Sequence, residues 1–149
     1  SGALYWNDFI TICKEVGFTD VRIVKHNKIT INNSEITEQL SGINFYSVTY
    51  RLFKLPNLLD SDCEDYGQAV IYLGTILNHP DFWELDGHHR VNTGKVFPVC
   101  GNTYNMLYHS RFNKHFTFIG DFDTHYGLFE GCGKSCPFES DISIKNSCC

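Results

Sequence analysis

The chain has 149 residues and a formal net charge of −5 at pH 7, and only 19% of its residues are charged. A chain of this length forms one medium domain or two pieces of larger ones, and it buries roughly 70% of its surface without needing disulfides. The negative charge and the lack of a basic cluster argue against nucleic acid as a partner, because phosphate binding needs clustered Lys and Arg. No apolar run approaches the roughly 18 residues of a membrane span, and no secretory signal is visible, so no membrane partner is predicted.

The first predicted element is a helix over residues 2–16. Tyr5, Phe9, Ile12 and Val16 recur at helical spacing, and Gly17 is a typical stop. Alternating apolar residues then predict one long strand or two short ones over residues 19–31.

A short helix and a long strand follow. Asn33 or Ser34 can cap the helix, which Gly42 ends, and the strand covers residues 43–55. Apolar residues on both faces of that strand are typical of a strand inside a layered α/β sheet, so both faces are expected to be covered. The order of elements predicts the closing part of an α/β domain.

Residues 56–62 form the best candidate linker, and a second unit begins with Cys63. There a thiol and two carboxylates, Glu64 and Asp65, precede a short apolar run over residues 69–73 that is typical of a buried strand.

The remaining elements of the second unit are short, which indicates an α+β domain over residues 56–138. A helix over residues 104–115 is expected, capped by Asn102 or Thr103. Strands are predicted over residues 82–85, 95–99, 117–121 and 125–129, with a turn at Asp86-Gly87, a loop over residues 131–137 and a flexible cysteine-containing tail over residues 139–149.

The cysteines supply the candidate chemistry. Seven thiols without a secretory signal favour a reducing, cytoplasmic location over a disulfide framework. They are Cys13, Cys63, Cys100, Cys132, Cys136, Cys148 and Cys149.

Two interpretations of these thiols stay open beside simple packing. Cys132 and Cys136 share a glycine-bearing loop and are a weak zinc signal. His88-His89 is a poor complement because adjacent strand residues face opposite ways, and a polar turn flank is the preferred interpretation of that pair. Alternatively Cys63, Cys100 and the Cys132/Cys136 pair serve one soft ion, since thiolates select soft centres. As(III) is such a centre, but composition alone does not point to it. No nucleotide loop and no catalytic residue can be identified.

Five sequence motifs resemble the arsenite S-adenosylmethionine methyltransferases, the last two of them the microbial branch of that family. The likeness covers about residues 2–138 in the family's order. The motifs are Gly2-Ala3-Leu4-Tyr5-Trp6, residues 45–54 (FYSVTYRLFK), residues 63–70 (CEDYGQAV), residues 97–103 (FPVCGNT) and His125-Tyr126-Gly127-Leu128-Phe129.

The resemblance implies the C-terminal half of such an enzyme. Residues 1–55 would end the Rossmann-like methyltransferase domain, and residues 56–138 would bind arsenite, while the S-adenosylmethionine site would lie upstream of Ser1. It implies arsenite or its glutathione conjugate as substrate, thioredoxin or glutathione as reductant, a role in detoxification, and no turnover by this portion alone. The alternative is a thiol-based module that binds arsenic or zinc without methyl transfer.

The resemblance also implies thiolate ligands for As(III), which attacks the sulfonium methyl with its lone pair. One family cysteine would precede Gly2, and Ile43 and Val48 stand where relatives carry another. Cys63 is therefore expected to replace that ligand, with Cys100, Cys132 and Cys136 as the other candidates, although the role of Cys100 could instead be structural.

Overall fold

A computed structural model describes residues 2–132 and Phe138 of the chain. These residues form a sheet-rich α+β fold. The helices are α1 (Trp6–Glu15), α2 (Ser34–Gln39) and α3 (Gly101–Tyr108), with a 3₁₀ turn at Asn113–His115. The strands are β1 (Val21–Lys28), β2 (Tyr46–Leu52), β3 (Glu64–Asp65), β4 (Gln68–Tyr72), β5 (Phe82–Glu84), β6 (Arg90–Asn92), β7 (Val96–Val99), β8 (Phe116–Ile119) and β9 (Gly127–Leu128).

The first unit consists of α1, α2 and an antiparallel ribbon of β1 and β2. Gly17 follows α1 with a φ of 97°, a left-handed conformation that glycine adopts without strain and that ends helices. Asn33 caps α2, because its side-chain oxygen accepts a hydrogen bond from the Ile36 amide at 3.0 Å. The predicted stop of α1 and the predicted cap of α2 are thereby confirmed.

One expectation for the first unit is not met. Strand β2 alternates between half-buried and exposed residues, and β1 is its only partner among the described residues. The two faces of the ribbon are therefore not both covered by these residues. Apolar side chains are exposed on this unit, namely those of Leu4, Tyr5, Ile12, Val16, Ile29, Ile36, Ile43 and Leu52.

The second unit is organised around β4. This strand lies between β7 and β8 in an antiparallel three-stranded sheet, and β5 and β6 form a separate antiparallel pair. Val70 and Tyr72 point to the same face of β4 and are completely buried, as are Val99 on β7 and Met106 on α3. The predicted buried strand is thereby confirmed as the centre of the core.

Helix α3 differs from its prediction. It begins at Gly101, with Cys100 as the N-cap, and ends at Tyr108, seven positions short of the expected end at residue 115. The Asn102 side chain is not a cap because its oxygen accepts from the Asp60 amide at 2.8 Å, while its NH₂ group donates to the Asp60 carbonyl at 2.9 Å and to Asp20 at 3.1 Å. Tyr104, Tyr108 and Phe112 have helical spacing, but Phe112 lies beyond the helix and packs against Trp83.

The two last strands lie in different sheets. Strand β8 pairs with β4, whereas β9 pairs with β3. Contacts also cross the predicted linker: Phe53, which follows β2, is buried in the core of the second unit, and Arg51 donates to the carbonyls of Glu84 and Leu85. The division near residue 55 stays a prediction.

Candidate thiol site

Three cysteines that are far apart in sequence meet at one place. The Sγ atoms of Cys63, Cys100 and Cys132 all lie within 4.8 Å of one another. Sulfur atoms around a tetrahedral ion with bonds of about 2.3 Å are about 3.8 Å apart, so small side-chain rotations bring all three onto one ion. Among the described residues, this is the one group of His, Cys, Asp and Glu side chains with such geometry.

Pairing of β3 with β9 brings Cys63 and Cys132 together. Cys63 immediately precedes β3, and its carbonyl accepts a hydrogen bond from the Phe129 amide at 2.8 Å. After β9 the chain turns, because the Cys132 amide donates to the Phe129 carbonyl at 3.2 Å. The turn returns Cys132 toward Cys63.

Pairing of β4 with β7 adds Cys100. Gln68 opens β4 and lies opposite Val99, so Cys100 follows directly at the junction of β7 and α3. Gly101 allows the close approach of the neighbouring chain: a Cβ there would lie 3.0 Å from the Tyr66 ring and 3.2 Å from the Phe122 ring. A side chain at position 101 would therefore require the Tyr66 and Phe122 rings to shift.

The three thiols differ in exposure. Cys100 is 0% exposed and forms the floor of the site, whereas Cys63 and Cys132 are half-buried. A ligand therefore reaches the site from the side of Cys63 and Cys132.

The thiols also differ in acidity. Hydrogen bonds from the Cys132 and Cys63 thiols, against the opposing effect of burial, hold the pKa of Cys100 below its ordinary value, and the Thr103 hydroxyl at 3.4 Å acts in the same direction. The same hydrogen bonds raise the pKa of Cys63, and the bond to Cys100 raises the pKa of Cys132 to about 11. Cys100 is therefore the most acidic of the three thiols.

A buried cation lies close to this thiolate. The Arg22 guanidinium, on β1, pairs with Asp20 at 2.7 Å and with Asp86 at 3.1 Å. Burial lowers the pKa of Arg22, but the charges of Asp20, Asp86 and Cys100 together raise it above its ordinary value. Arg22 thus stays charged and links the first unit to the thiol site.

Asp86 is the most heavily hydrogen-bonded carboxylate near the site. It accepts bonds from the backbone amides of His88 and His89 at 2.8 and 2.9 Å and from His89 Nδ1 at 2.8 Å. Burial works to raise its pKa, but the His89 hydrogen bond and the charge of Arg22 hold that pKa well below its usual range. Asp86 is therefore an anion at neutral pH.

The depressed pKa of Asp86 predicts an acid-dependent stability. The unfolded chain binds this proton near its ordinary pKa of about 3.9 and the folded chain binds it only at lower pH. The contribution is therefore complete above the unfolded pKa and is lost progressively as the pH falls from that value toward the lower folded-state pKa. In urea unfolding from pH 7 to pH 3, Asp86→Asn should be less stable than wild type at pH 7 and lose less stability on acidification. Asp8→Asn, which removes an exposed carboxylate, corrects for net charge. Parallel curves for wild type and Asp86→Asn would contradict the assignment.

The predicted site residues have mixed outcomes. Cys63, Cys100 and Cys132 come together, whereas Cys136 lies outside the described residues, as do Cys148 and Cys149. Whether the three thiols bind an ion stays a prediction. Cys13 is buried in α1, away from this group.

Sequence analysis missed four neighbours of the thiols: Arg22, Asp86, His89 and Thr103. The preferred interpretation of His88-His89 as a polar turn flank agrees with the exposed His88, whereas His89, beside the same turn, is buried against Asp86. The spacing Asp86-Gly-His-His is itself a signal, because an Asp in a turn commonly accepts bonds from the next two or three amides.

The fold and the site together define a small α+β domain whose candidate functional group is a cluster of three thiols. The family model described as "Arsenite methyltransferase C-terminal domain" matches residues 66–146. The chain therefore belongs to the arsenite methyltransferase C-terminal domain family, as its motifs indicate.

Individual relatives agree with this assignment. An arsenite methyltransferase of Aquipseudomonas alcaligenes is 53% identical over 99% of this chain, and that of Rattus norvegicus is 37% identical over 78% of it. The crystal structure of CrArsM, an arsenic(III) S-adenosylmethionine methyltransferase from Chlamydomonas reinhardtii, matches 87% of the chain with a TM-score of 0.83 and 47% identity. The chain spans 43% of the bacterial relative, 31% of the rat relative and 43% of the crystallised one.

No helix in the described part of the chain combines the length and apolar character required to cross a lipid bilayer.

Proposed function

We propose that this chain is the arsenite-binding portion of a methyltransferase, in which Cys63, Cys100 and Cys132 hold trivalent arsenic. The observation that carries the proposal is the meeting of three Sγ atoms within 4.8 Å at a half-open site. The relatives are arsenite methyltransferases, and their activity supplies the substrate. Cys136 remains a candidate for a further or alternative thiol ligand.

The chemistry of capture follows from the proton pattern of the thiols. Arsenite is As(OH)₃ near neutral pH, and each cysteine that binds it forms an S–As bond while an As–O bond breaks. The thiol proton leaves with the hydroxide as water, so three neutral thiols bind arsenite with no net release of acid. Cys100 is the best first nucleophile because hydrogen bonds already stabilise its thiolate. Cys63 and Cys132, which still carry protons, then protonate two of the three departing hydroxides. When Cys100 reacts as a thiolate, the third hydroxide takes its proton from the solvent, so capture takes up one proton and releases no acid.

The methyl group would come from S-adenosylmethionine, which supplies a sulfonium carbon to the lone pair of the thiol-bound arsenic. The chain shows no glycine-rich nucleotide loop, so the residues that bind this donor are proposed to lie outside it. Residues 1–55 would then form the C-terminal part of the Rossmann-like methyltransferase domain and residues 56–138 the arsenite-binding domain. The α1, β1 and β2 elements are compatible with that division, and the chain by itself is expected to bind arsenic without turnover.

Further partners follow from the same chemistry. Free arsenite and its glutathione conjugate both present trivalent arsenic with exchangeable ligands. Thioredoxin or glutathione would keep the thiols reduced between turnovers, which suits a reducing cytoplasm.

A metal-binding module is the second candidate, since three thiolates also leave an open fourth position on Zn²⁺. Proton release distinguishes the two. Zinc binding releases every remaining thiol proton and therefore acidifies the solvent. Arsenite binding does not acidify the solvent, because the hydroxides that leave arsenic take up the thiol protons.

A titration of the reduced chain tests the proposal. We expect one arsenic per chain by intact mass, no acid release in an unbuffered pH-stat experiment, and protection of Cys63, Cys100 and Cys132 from alkylation by iodoacetamide. Zn²⁺ added to the same protein supplies the acidifying comparison.

Two variants make the titration specific. In the double variant Cys148→Ser/Cys149→Ser, we expect Cys63, Cys100 and Cys132 to stay protected. This result would exclude the vicinal pair at residues 148 and 149 as the source of binding. In Cys136→Ser the same three thiols stay protected. Protection confined to Cys148 and Cys149, or tight binding of Zn²⁺ alone, would refute an arsenite site at this cluster.

A further inference from the structure

A continuous line of polar contacts leads from a buried carboxylate to the most buried thiol of the site. Asp86 accepts from His89 Nδ1, with its two oxygens at 2.8 and 2.9 Å. His89 Nε2 lies 3.5 Å from the Thr103 hydroxyl, and this hydroxyl lies 3.4 Å from Cys100 Sγ. The members of this line are almost completely buried, with 4%, 9%, 1% and 0% of Asp86, His89, Thr103 and Cys100 exposed.

The carboxylate determines which way the imidazole presents its nitrogens. Asp86 can only accept hydrogen bonds, so Nδ1 of His89 must carry a proton, and Nε2 is the nitrogen presented to Thr103. Two backbone amides and Arg22 hold the carboxylate on its other sides. The ring of His89 also lies against Phe97, with 6.1 Å between centroids. The imidazole is therefore held in one position with a proton on Nδ1.

Thr103 lies between the imidazole and the Cys100 thiol and connects them. Its hydroxyl donates its one proton to the Cys100 sulfur when that sulfur is a thiolate, and its lone pairs face His89 Nε2, from which they can accept when that nitrogen carries a proton. Thr103 sits in the first turn of α3, three residues after Cys100, and its backbone is fixed by the helix. Because a cysteine side chain has three staggered orientations, a hydroxyl held at one place selects one of them.

We propose that Asp86 and His89 are positioning residues that act through Thr103 to hold Cys100 Sγ in the orientation that meets Cys63 and Cys132. The inference rests on the proposed arsenite site, which it deepens. Outer partners of this kind orient the ligands of metal sites, and losing one costs about 10- to 100-fold in affinity. Burying these polar side chains costs free energy, and apolar side chains of the same shape would stabilise the fold equally well.

Three substitutions test the proposal, and the chain provides a matched control. Thr103→Val keeps the shape of the side chain and removes the hydroxyl, Thr103→Ser keeps the hydroxyl, and His89→Phe keeps a ring against Phe97. The control is Thr75→Val, because Thr75 bonds to His115 at 2.7 Å in a similar Thr–His pair on the exposed surface.

Two readouts are measured on each reduced variant. The first is the rate at which each cysteine is alkylated without arsenite, and the second is arsenite affinity with the set of thiols protected. We expect Thr103→Val and His89→Phe to alkylate faster at Cys100 and to bind arsenite about 10- to 100-fold more weakly. In these two variants at half-saturating arsenite, Cys100 should be less protected from alkylation than Cys63 and Cys132. Thr103→Ser should behave as wild type, and so should Thr75→Val.

Other results would overturn the positioning role. Unchanged Cys100 alkylation and arsenite affinity in Thr103→Val and His89→Phe would show that the polar line does not act on the thiol. Equal loss of protection at all three cysteines, in step with a fall in melting temperature, would show a structural role only. If wild type binds no arsenite, the proposed function fails, but faster alkylation of Cys100 in Thr103→Val and not in Thr103→Ser still supports the positioning role.

Discussion

Cys100→Ser is expected to weaken arsenite binding by about 100-fold. Binding free energies of roughly 10–16 kcal/mol for four-ligand zinc sites correspond to about 3 kcal/mol for each ligand, and 1.4 kcal/mol is tenfold in affinity. The serine hydroxyl fits the space but is a hard ligand with little affinity for a soft centre. The measurement is a competition titration of the reduced variant and wild type with arsenite, followed by intact mass and alkylation mapping.

Cys13→Ser is the control for this experiment. Both thiols are buried, with 5% of Cys13 and 0% of Cys100 exposed, but Cys13 lies in α1 outside the thiol cluster. Its substitution should leave arsenite affinity unchanged. Wild-type affinity in Cys100→Ser would mean that arsenic is held by Cys63 and Cys132 with a different third ligand, and the double variant Cys100→Ser/Cys136→Ser would then identify Cys136 as that ligand.

Arg22→Met is expected to destabilise the fold by about 3–5 kcal/mol. Its side chain is 8% exposed and pairs with Asp86, whose side chain is 4% exposed, so the substitution leaves a buried carboxylate without its cation. Met retains most of the aliphatic volume, so the decrease in the free energy of unfolding is due to the missing charge. The measurement is urea unfolding at pH 7, which should show a lower midpoint for the variant.

An exposed ion pair supplies the matched control for Arg22. Arg90 and Glu84 are 3.6 Å apart with side chains 57% and 48% exposed, and such pairs contribute about 0–1 kcal/mol. Arg90→Met should therefore change stability by less than about 1 kcal/mol. If both variants lost the same small amount, solvent would be screening Arg22 as well, and the buried link between the first unit and the thiol site would be refuted.

Much of the local structure can be predicted from the sequence because its causes are local. A glycine after an amphipathic stretch ends α1, and the Asn33 side chain begins α2. The apolar run after Cys63 becomes the central strand β4 because so continuous an apolar segment has no stable place except the core. Residue pattern alone also identifies the thiols as the candidate chemistry.

The errors in local structure have tertiary causes. Asn102 does not cap helix α3 because its side-chain oxygen accepts from the Asp60 amide, and its NH₂ group donates to Asp60 and Asp20, which belong to other parts of the chain. The spacing of Tyr104, Tyr108 and Phe112 imitates a longer helix, yet Phe112 has left the helix to pack on Trp83. Side chains that serve distant partners cannot be recognised from their neighbours in sequence.

The sequence by itself determined the positions of most elements, the family motifs and the thiols available for a soft ligand. Only the tertiary structure decided which thiols meet, because Cys63 approaches Cys132 through pairing between β3 and β9 and approaches Cys100 through pairing between β4 and β7. It also decided that His89 is buried behind Cys100 while His88 remains exposed. Strand pairing between distant segments depends on the packing of the whole core, and no local pattern encodes it.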